Sequence, residues 1–528
     1  MGAAPDEIDD EIRTAEVIGS LSLATDLAMG FPFEHGLHST LLADRIAARL
    51  DLDATTRRDI FFGCLLFYAG CTTDAEIAAQ KFRPGALLEH FTPVVFGSPP
   101  ETARGIIRAL GNPSRGAVGQ LVGGVARLPG AARGHRIHIT SMCEVAEMLA
   151  ERLAVPSGVP PLFRDFTARW DGRGESHLAG GELPVPLRVI HVARDVAFQR
   201  VVGGPDHALD VVGQRAGKAF DPDVVATLSS DLLGPEPEGS VWHETLAIEP
   251  APQLVLRGPE IDRALEAIGA FADLISPCFT AHCLTVAALA SQAAADRGLP
   301  ADQVAAVHRA GLLHDVGRVA VGTDVWIKPG PLTADEWERV RLHAHHTERV
   351  LAPSPRLATL GVVAGAHHER LDGSGYHRGS TAQSLGAAAR LVAAADAYRT
   401  AVEPRPHRAA RSPAEAAAHV AELARTGLLD TGSVGAVLDA ARQAVPHIAG
   451  PAGLTDRETE VVVLVAQGLA TKQIAHRLGI SAKTADRHIQ NSYAKMGVST
   501  RASATLFAMQ HGLDAWGGLP MSLSSRRS

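Results

Sequence analysis

The feature that most restricts the fold of this chain is an internal repeat. RWDGRGESHLAGGELPVPLRVIHVARDV (169–196) aligns without a gap to RLDGSGYHRGSTAQSLGAAARLVAAADA (370–397), so Asp171 and Asp195 have the same separation as Asp372 and Asp396. Downstream, RAGKAFD (215–221) echoes RTGLLD (425–430); upstream, LLFYAGC (65–71) lies where the second copy has LLHDVGR (312–318). Self-similarity on this scale means tandem copies of one domain. Apolar residues in both copies follow helical spacing. DQVAAVHRAGLLHDVG reads as a helix with Gly317 near its end, and KPGPLTADEWERVRLHAHH as a turn, a Thr333/Glu336 cap and a helix carrying His343. At 528 residues the chain exceeds one hydrophobic core, and about three domains are expected. Proline-rich PEPEG (235–239) and PAPQ (250–253) separate the copies, and AGPAG (449–453) marks a second boundary. The expected division is 1–240, 255–447 and 452–515.

The copies differ in chemistry. The second holds His282, His314-Asp315, His343, His367-His368 and Asp396 within 115 residues. Neutral imidazoles and carboxylates suit divalent first-row metals, and paired histidines with a shared aspartate suit two ions better than one. In the first copy Phe67-Tyr68 replaces the His-Asp pair, and Phe166-Thr167 replaces the His-His pair. Asp195 survives, with His38 a candidate for the first histidine. Aromatic rings fill the volume that ligands and metal would occupy, so the first copy is expected to be metal-free and to serve structure, dimerisation or sensing.

The second copy resembles the HD-GYP family of phosphohydrolases over about 260–445. The matching motifs are LLHDVGR, KPGPLT (328–333), RLHAHH, HHERLDGSGY (367–376), AAADAY and RPHR (405–408), in the family's order. The resemblance implies an all-helical fold whose ligands come from different helices. It also implies two divalent transition metal ions, iron or manganese, and hydrolysis of a cyclic dinucleotide, cyclic di-GMP, or another phosphate ester. Carried over by position, Asp315 bridges the ions; His282, His314 and Asp396 complete one site, and His343, His367 and His368 the other. Asp315 and Arg318 are the expected catalytic residues. Arg318, Lys328, Gly373, Gly375, Tyr376 and Arg405 are the expected substrate contacts, glycines for close backbone approach and arginines for bidentate phosphate contact. The family usually has Lys at 318 and Pro at 377, where this chain has Arg and His. Cys278 stands where trinuclear members place a carboxylate, which favours two metals. His345, His346 and His377 read as surface histidines.

Net charge is split between body and tail. From Ala452 onward nine Lys and Arg face five Asp and Glu, a net of +4, which leaves −12 of the overall −8 on the body. A basic tail on an acidic body suits a polyanion-binding module. Thr455 and Glu458 form a capping box, Gly468 ends a helix, Thr471 can cap the next, and Gly479-Ile480-Ser481 makes the tight turn of a helix-turn-helix. Ile474, Leu478, Ile480, Ala485 and Ile489 supply the apolar side. The LTDRE opening, the GLATKQIAHRLGIS core and the YAKMGVSTRA end resemble the LuxR-type DNA-binding domain, a four-helix unit. The resemblance implies binding to double-stranded promoter DNA. Lys483, Thr484, Arg487 and His488 face the groove, Lys472 and Lys495 lie near phosphates, and the fourth helix (500–511) mediates a homodimer.

Five cysteines without a C-x-x-C pair argue against a disulfide framework, and the acidic N-terminus lacks a signal peptide's apolar core. No uninterrupted apolar run approaches the ~20 residues that span a bilayer. A cytoplasmic protein without a membrane partner is the expectation. Two functional classes stay open: a phosphodiesterase coupled to promoters, and a transcription regulator that senses a nucleotide or metal without significant turnover.

Overall fold

The computed structural model describes residues 10–70, 96–110, 140–174, 176–235, 239–443, 451–511 and 513. Cys71, the middle of the 235–239 segment and the start of the 449–453 boundary lie outside the described residues. Among the described residues the fold is all-α, with one small sheet. Strand Glu11–Arg13 pairs antiparallel with Val255–Arg257, setting Ile12 opposite Leu256 and tying the start of the first copy to the start of the second.

The repeat is visible helix by helix. Helices Thr14–Met29, His35–Arg49 and Ala54–Leu65 of the first copy correspond to Pro259–Asp273, His282–Asp296 and Ala301–Leu313 of the second. Both copies join the first two helices in the same way. The buried Asp26 carboxylate accepts the Gly36 N–H at 3.1 Å, and the buried Asp273 carboxylate accepts the Cys283 N–H at 2.9 Å. In each case a side-chain oxygen satisfies a backbone donor left orphaned by the start of a helix. A left-handed residue, Glu34 (φ 70°) or Ala281 (φ 53°), then turns the chain into the helix. This register makes His35, not His38, the counterpart of His282. Sequence spacing missed it because the Asp–His interval lies across a loop with no recognisable motif.

The apolar core ignores the boundary between copies. Ile18, Leu21 and Leu37 of the first pack in one cluster with Leu265, Phe271, Val286, Leu312 and Leu391 of the second. A second cluster, including Ile46, Ile60, Val189, Phe198 and Phe220, belongs to the first copy alone. A third, including Val461, Val465, Ile474 and Ile489, belongs to the tail. The segment Pro277–Asp296 has the length and mean hydropathy of a membrane span, but 67% of its apolar window is buried inside the protein. Its apolar character therefore serves the core.

Gly317 lets the second copy close. A β-carbon there would overlap the Thr347 nitrogen and the His343 carbonyl. Its absence lets the turn after Asp315 press against helix Ala334–Leu351, with the Gly317 N–H donating to Thr347 Oγ1 at 3.0 Å.

Candidate metal centre

Each donor predicted from sequence sits at a helix end or on a helix face turned inward. His282 opens helix His282–Asp296, and His314 caps the end of Ala301–Leu313, with Asp315 next. His343 lies within Ala334–Leu351, His367 and His368 just beyond Pro355–Ala364, and Asp396 within Ala387–Val402. The structure brings all seven together. Asp315 lies at the centre. Its Oδ2 is 3.3 Å from His282 Nε2 and 3.0 Å from His314 Nε2, while Oδ1 is 3.2 Å from His343 Nε2 and 3.5 Å from His367 Nε2. Asp396 spans the two groups in the same manner, with Oδ1 3.3 Å from His282 Nε2 and Oδ2 3.7 Å from His368 Nδ1. Two trios, His282/His314/Asp315 and His343/His367/His368, each have the spacing to hold an ion.

Proton placement argues for cations here. His314 and His367 direct Nδ1 at the carbonyls of Gly311 and Ala364, both at 2.7 Å, and His343 does the same to Val340. Carbonyls only accept, so each Nδ1 carries the hydrogen and each Nε2 is left with a lone pair. Burial drives these rings toward the neutral form, His343 down to about 3 and His314 down to about 4. Even so, His343 Nε2 faces His367 Nε2 at 3.0 Å. Lone pairs opposed at that range repel unless positive charge lies between them. Asp315 Oδ1 is also buried without a hydrogen-bond donor. Nitrogen and oxygen donors of this kind, with their other ring nitrogens already committed, suit divalent first-row metals.

His282 is held differently. Its Nδ1 faces the Glu403 carboxylate at 3.0 and 3.1 Å. Burial works against charge on this ring, but Glu403 and Asp396 outweigh it and raise its pKa above the ordinary imidazole value. The sequence reading missed Glu403. The one available signal was an acidic residue two positions before Arg405 in the RPHR segment. Glu369 was missed as well; buried, it accepts the Arg378 and Ser380 N–H groups, both at 2.7 Å, and anchors the loop after His368.

The predicted substrate contacts have other partners. Arg318 is buried, hydrogen-bonded to Asp315 and 3.8 Å above the Phe279 ring. Lys328 pairs with Glu336 at 2.5 Å, and Arg405 pairs with Glu403 at 2.9 Å and donates to Cys278 O at 2.7 Å. Gly373 has φ +81°, and a β-carbon on Gly375 would strike the Glu369–Arg370 backbone, so both serve the turn itself. The Tyr376 ring lies 4.8 Å from that of His368, tilted by 36°, and burial pushes its phenol pKa up. His377 sits 3.0 Å from Glu348. The His368 side chain is 20% exposed while the other six donors are at most 4% exposed, so solvent reaches the centre on its side.

The tail forms four helices, Asp456–Ala466, Thr471–Leu478, Ala482–Met496 and Arg501–Gln510. Thr455/Glu458 and Ser481 cap as expected. Thr471 does not: Ala470 is the N-cap, and Gln473 accepts its N–H at 2.7 Å. Lys472, Lys483 and Arg487 are exposed, while Thr484 and His488 are half-buried. Lys495, also exposed, is paired with the buried Glu458 at 2.6 Å. The fourth helix, expected to mediate dimerisation, packs on the protein's own body, with Ala502, Leu506 and Met509 in the main core.

Comparison with known proteins fits this arrangement. Residues 267–432 match the HD domain family, and 452–508 match the luxR family of bacterial regulatory proteins. The chain is 26% identical over 404 residues to 3'3'-cGAMP-specific phosphodiesterase 3 of Vibrio cholerae serotype O1, covering 75% of this chain and 88% of that one. It is 37% identical over 142 residues to a cyclic di-GMP phosphodiesterase of Pseudomonas aeruginosa, covering 27% of this chain and 34% of that one. The crystal structure of a cyclic GMP-AMP specific phosphodiesterase of V. cholerae shares the fold, with TM-score 0.57, 23% identity, and coverage of 82% of this chain and 99% of that one. Residues 267–432 thus carry an HD domain, and residues 452–508 a domain of the luxR family of bacterial regulatory proteins.

Proposed function

We propose that this protein is a metal-dependent phosphodiesterase that linearises a guanine-containing cyclic dinucleotide and reports on it to a promoter through its luxR-family domain. The observation that carries this reading is the convergence of imidazole lone pairs on Asp315 and Asp396, with their Nδ1 hydrogens committed elsewhere. His282, His314 and Asp396 would hold one ion, His343, His367 and His368 the other, and Asp315 would lie between them; iron and manganese suit these donors. When bound, such ions lower the pKa of water and offset charge on phosphoryl oxygens. Water adds to phosphorus, the bond to the ribose oxygen breaks, and that oxygen takes up a proton. Around this step, buried Arg318 keeps a fixed positive charge against Asp315. Tyr376, protonated at neutral pH, keeps an O–H to donate beside His368, where the centre is open. The exposed Lys483 and Arg487 of the third tail helix would read DNA.

Protein loaded with Mn²⁺ or Fe²⁺ under reducing conditions should convert cyclic di-GMP or 3'3'-cGAMP to linear product, and His314→Ala with Asp315→Ala should abolish it. Turnover that survives both substitutions would refute the assignment. A second reading, nucleotide sensing without turnover, is favoured by one contact. Thr280, two residues before His282, donates its hydroxyl to Ala466 O of the tail at 2.9 Å, so the ligand segment touches the DNA-binding domain directly. Bound but unhydrolysed dinucleotide that alters DNA affinity would select this reading. A cytoplasmic location and a homodimer on DNA belong to the same proposal.

A further inference from the structure

We infer that Glu403 is a positioning residue for the metal centre, one that fixes the tautomer of His282 and aims its Nε2 at Asp315 and Asp396. This rests on the metal-binding reading above and names a residue that reading does not need. Four imidazoles of the cluster are fully buried, and three of them orient Nδ1 on a backbone carbonyl three residues earlier. His282 does not, because it begins its helix: the left-handed Ala281 (φ 53°) breaks the chain from the short 3-10 turn Pro277–Phe279 before it. A carboxylate from 121 residues away takes that place, with both oxygens within 3.1 Å of Nδ1.

Glu403 is itself buried and paired with two arginines. Arg399 Nε lies 2.6 Å from Oε1 and Arg405 Nη2 2.9 Å from Oε2, so two guanidiniums are ion-paired with the carboxylate that faces His282. Arg405 reaches on to Cys278 O at 2.7 Å and Arg399 to Thr280 O at 3.4 Å, which fastens the short segment leading into His282. The ring is therefore fixed twice, through its backbone and through Nδ1. A carboxylate behind a ligating imidazole also makes Nε2 a stronger donor than a carbonyl does.

The experiment compares wild type, Glu403→Gln, and Glu403→Gln with Arg399→Gln. Each is titrated with Mn²⁺ against a chromogenic chelator, with thermal melting followed on the same samples. Glu403→Gln should weaken one of two ions about ten- to a hundredfold and leave the other unchanged. The double variant removes one guanidinium that the first change leaves unpaired, so it should regain melting temperature without regaining the lost affinity. Unchanged affinity for both ions in Glu403→Gln overturns the inference. So does recovery of affinity together with stability in the double variant, which marks Glu403 as purely structural. Wild type that binds no Mn²⁺ would instead overturn the metal-centre reading itself.

Discussion

At positions 67 and 314 the two copies place different residues on the same turn, and the surroundings change with them. Phe67 stacks on Phe166 with centroids 3.6 Å apart, where the second copy has His314 and His367 at 4.9 Å. The Arg194 guanidinium lies 3.1 Å from the Phe67 centroid and 3.8 Å from that of Tyr68. Asp195, counterpart of Asp396, is ion-paired with Arg215. The first copy thus carries a covalently fixed cation where the second gathers donors for a free one. Two buried histidines, His35 and His191, flank this cation. Burial, reinforced by Arg194, pushes both down from 6.5 to about 3. The unfolded chain then binds protons that the folded chain refuses, so stability is present above pH 6.5 and falls as pH drops from 6.5 toward about 3. Melting temperature of the metal-free protein should follow that trend, and His35→Leu should flatten it; an unchanged pH slope would show that His35 does not contribute.

Among the elements, the third tail helix shows how alike two lysines look in sequence and how differently they are used. Lys483 is exposed near the helix start. Lys495, near its end, reaches 37 residues back to Glu458, which also accepts the Thr455 N–H at 2.9 Å, and so belongs to the cap of the first tail helix. Lys483→Ala should weaken binding to a specific site by about 1–3 kcal/mol, if it reads a base edge, and leave urea unfolding unchanged. Lys495→Ala should instead lower tail stability by about 1 kcal/mol through the loosened cap. The reverse pattern in gel-shift and urea experiments would exchange their roles. Capping boxes, helix periodicity and the tight Gly479 turn were legible because they depend on residues three or four apart. Lys495, Lys328 and Arg405 were read as phosphate contacts because their acidic partners come from elsewhere in the chain or from turns that sequence does not close.

Across the whole molecule, the DNA-binding domain is docked rather than tethered. Glu144, on the helical residues 140–152 of the first copy, accepts Ser503 Oγ at 2.5 Å, Thr500 Oγ1 at 3.2 Å and the Ser499 N–H at 3.2 Å. Arg152 donates to Gln510 O at 3.1 Å at the other end of the same tail helix. Gly468 lies against Pro277, where a β-carbon would collide with the proline ring. The tail therefore touches both copies, including the segment that leads into His282. Any effect of the metal centre on DNA affinity must be matched by an equal effect of DNA on ligand affinity. Glu144→Ala should release the fourth tail helix, read as faster amide hydrogen exchange over 499–510 with unchanged protection in the helix His282–Asp296. Unaltered exchange at 499–510 would mean that apolar packing of Leu506 and Met509 holds the dock without it.

The order of donors, the helical class, the duplication and the helix-turn-helix were all determined by the sequence itself, since each rests on residue chemistry or on short-range periodicity. Only the tertiary structure decided which oxygen of Asp315 faces which histidines, that His35 and not His38 matches His282, and that Glu403 stands behind His282. It also decided that the fourth tail helix is buried on its own body. The physical reason is range. Side-chain chemistry and backbone propensity act within a turn or two, whereas a contact such as His282 with Glu403 spans 121 residues and exists only once helices have packed.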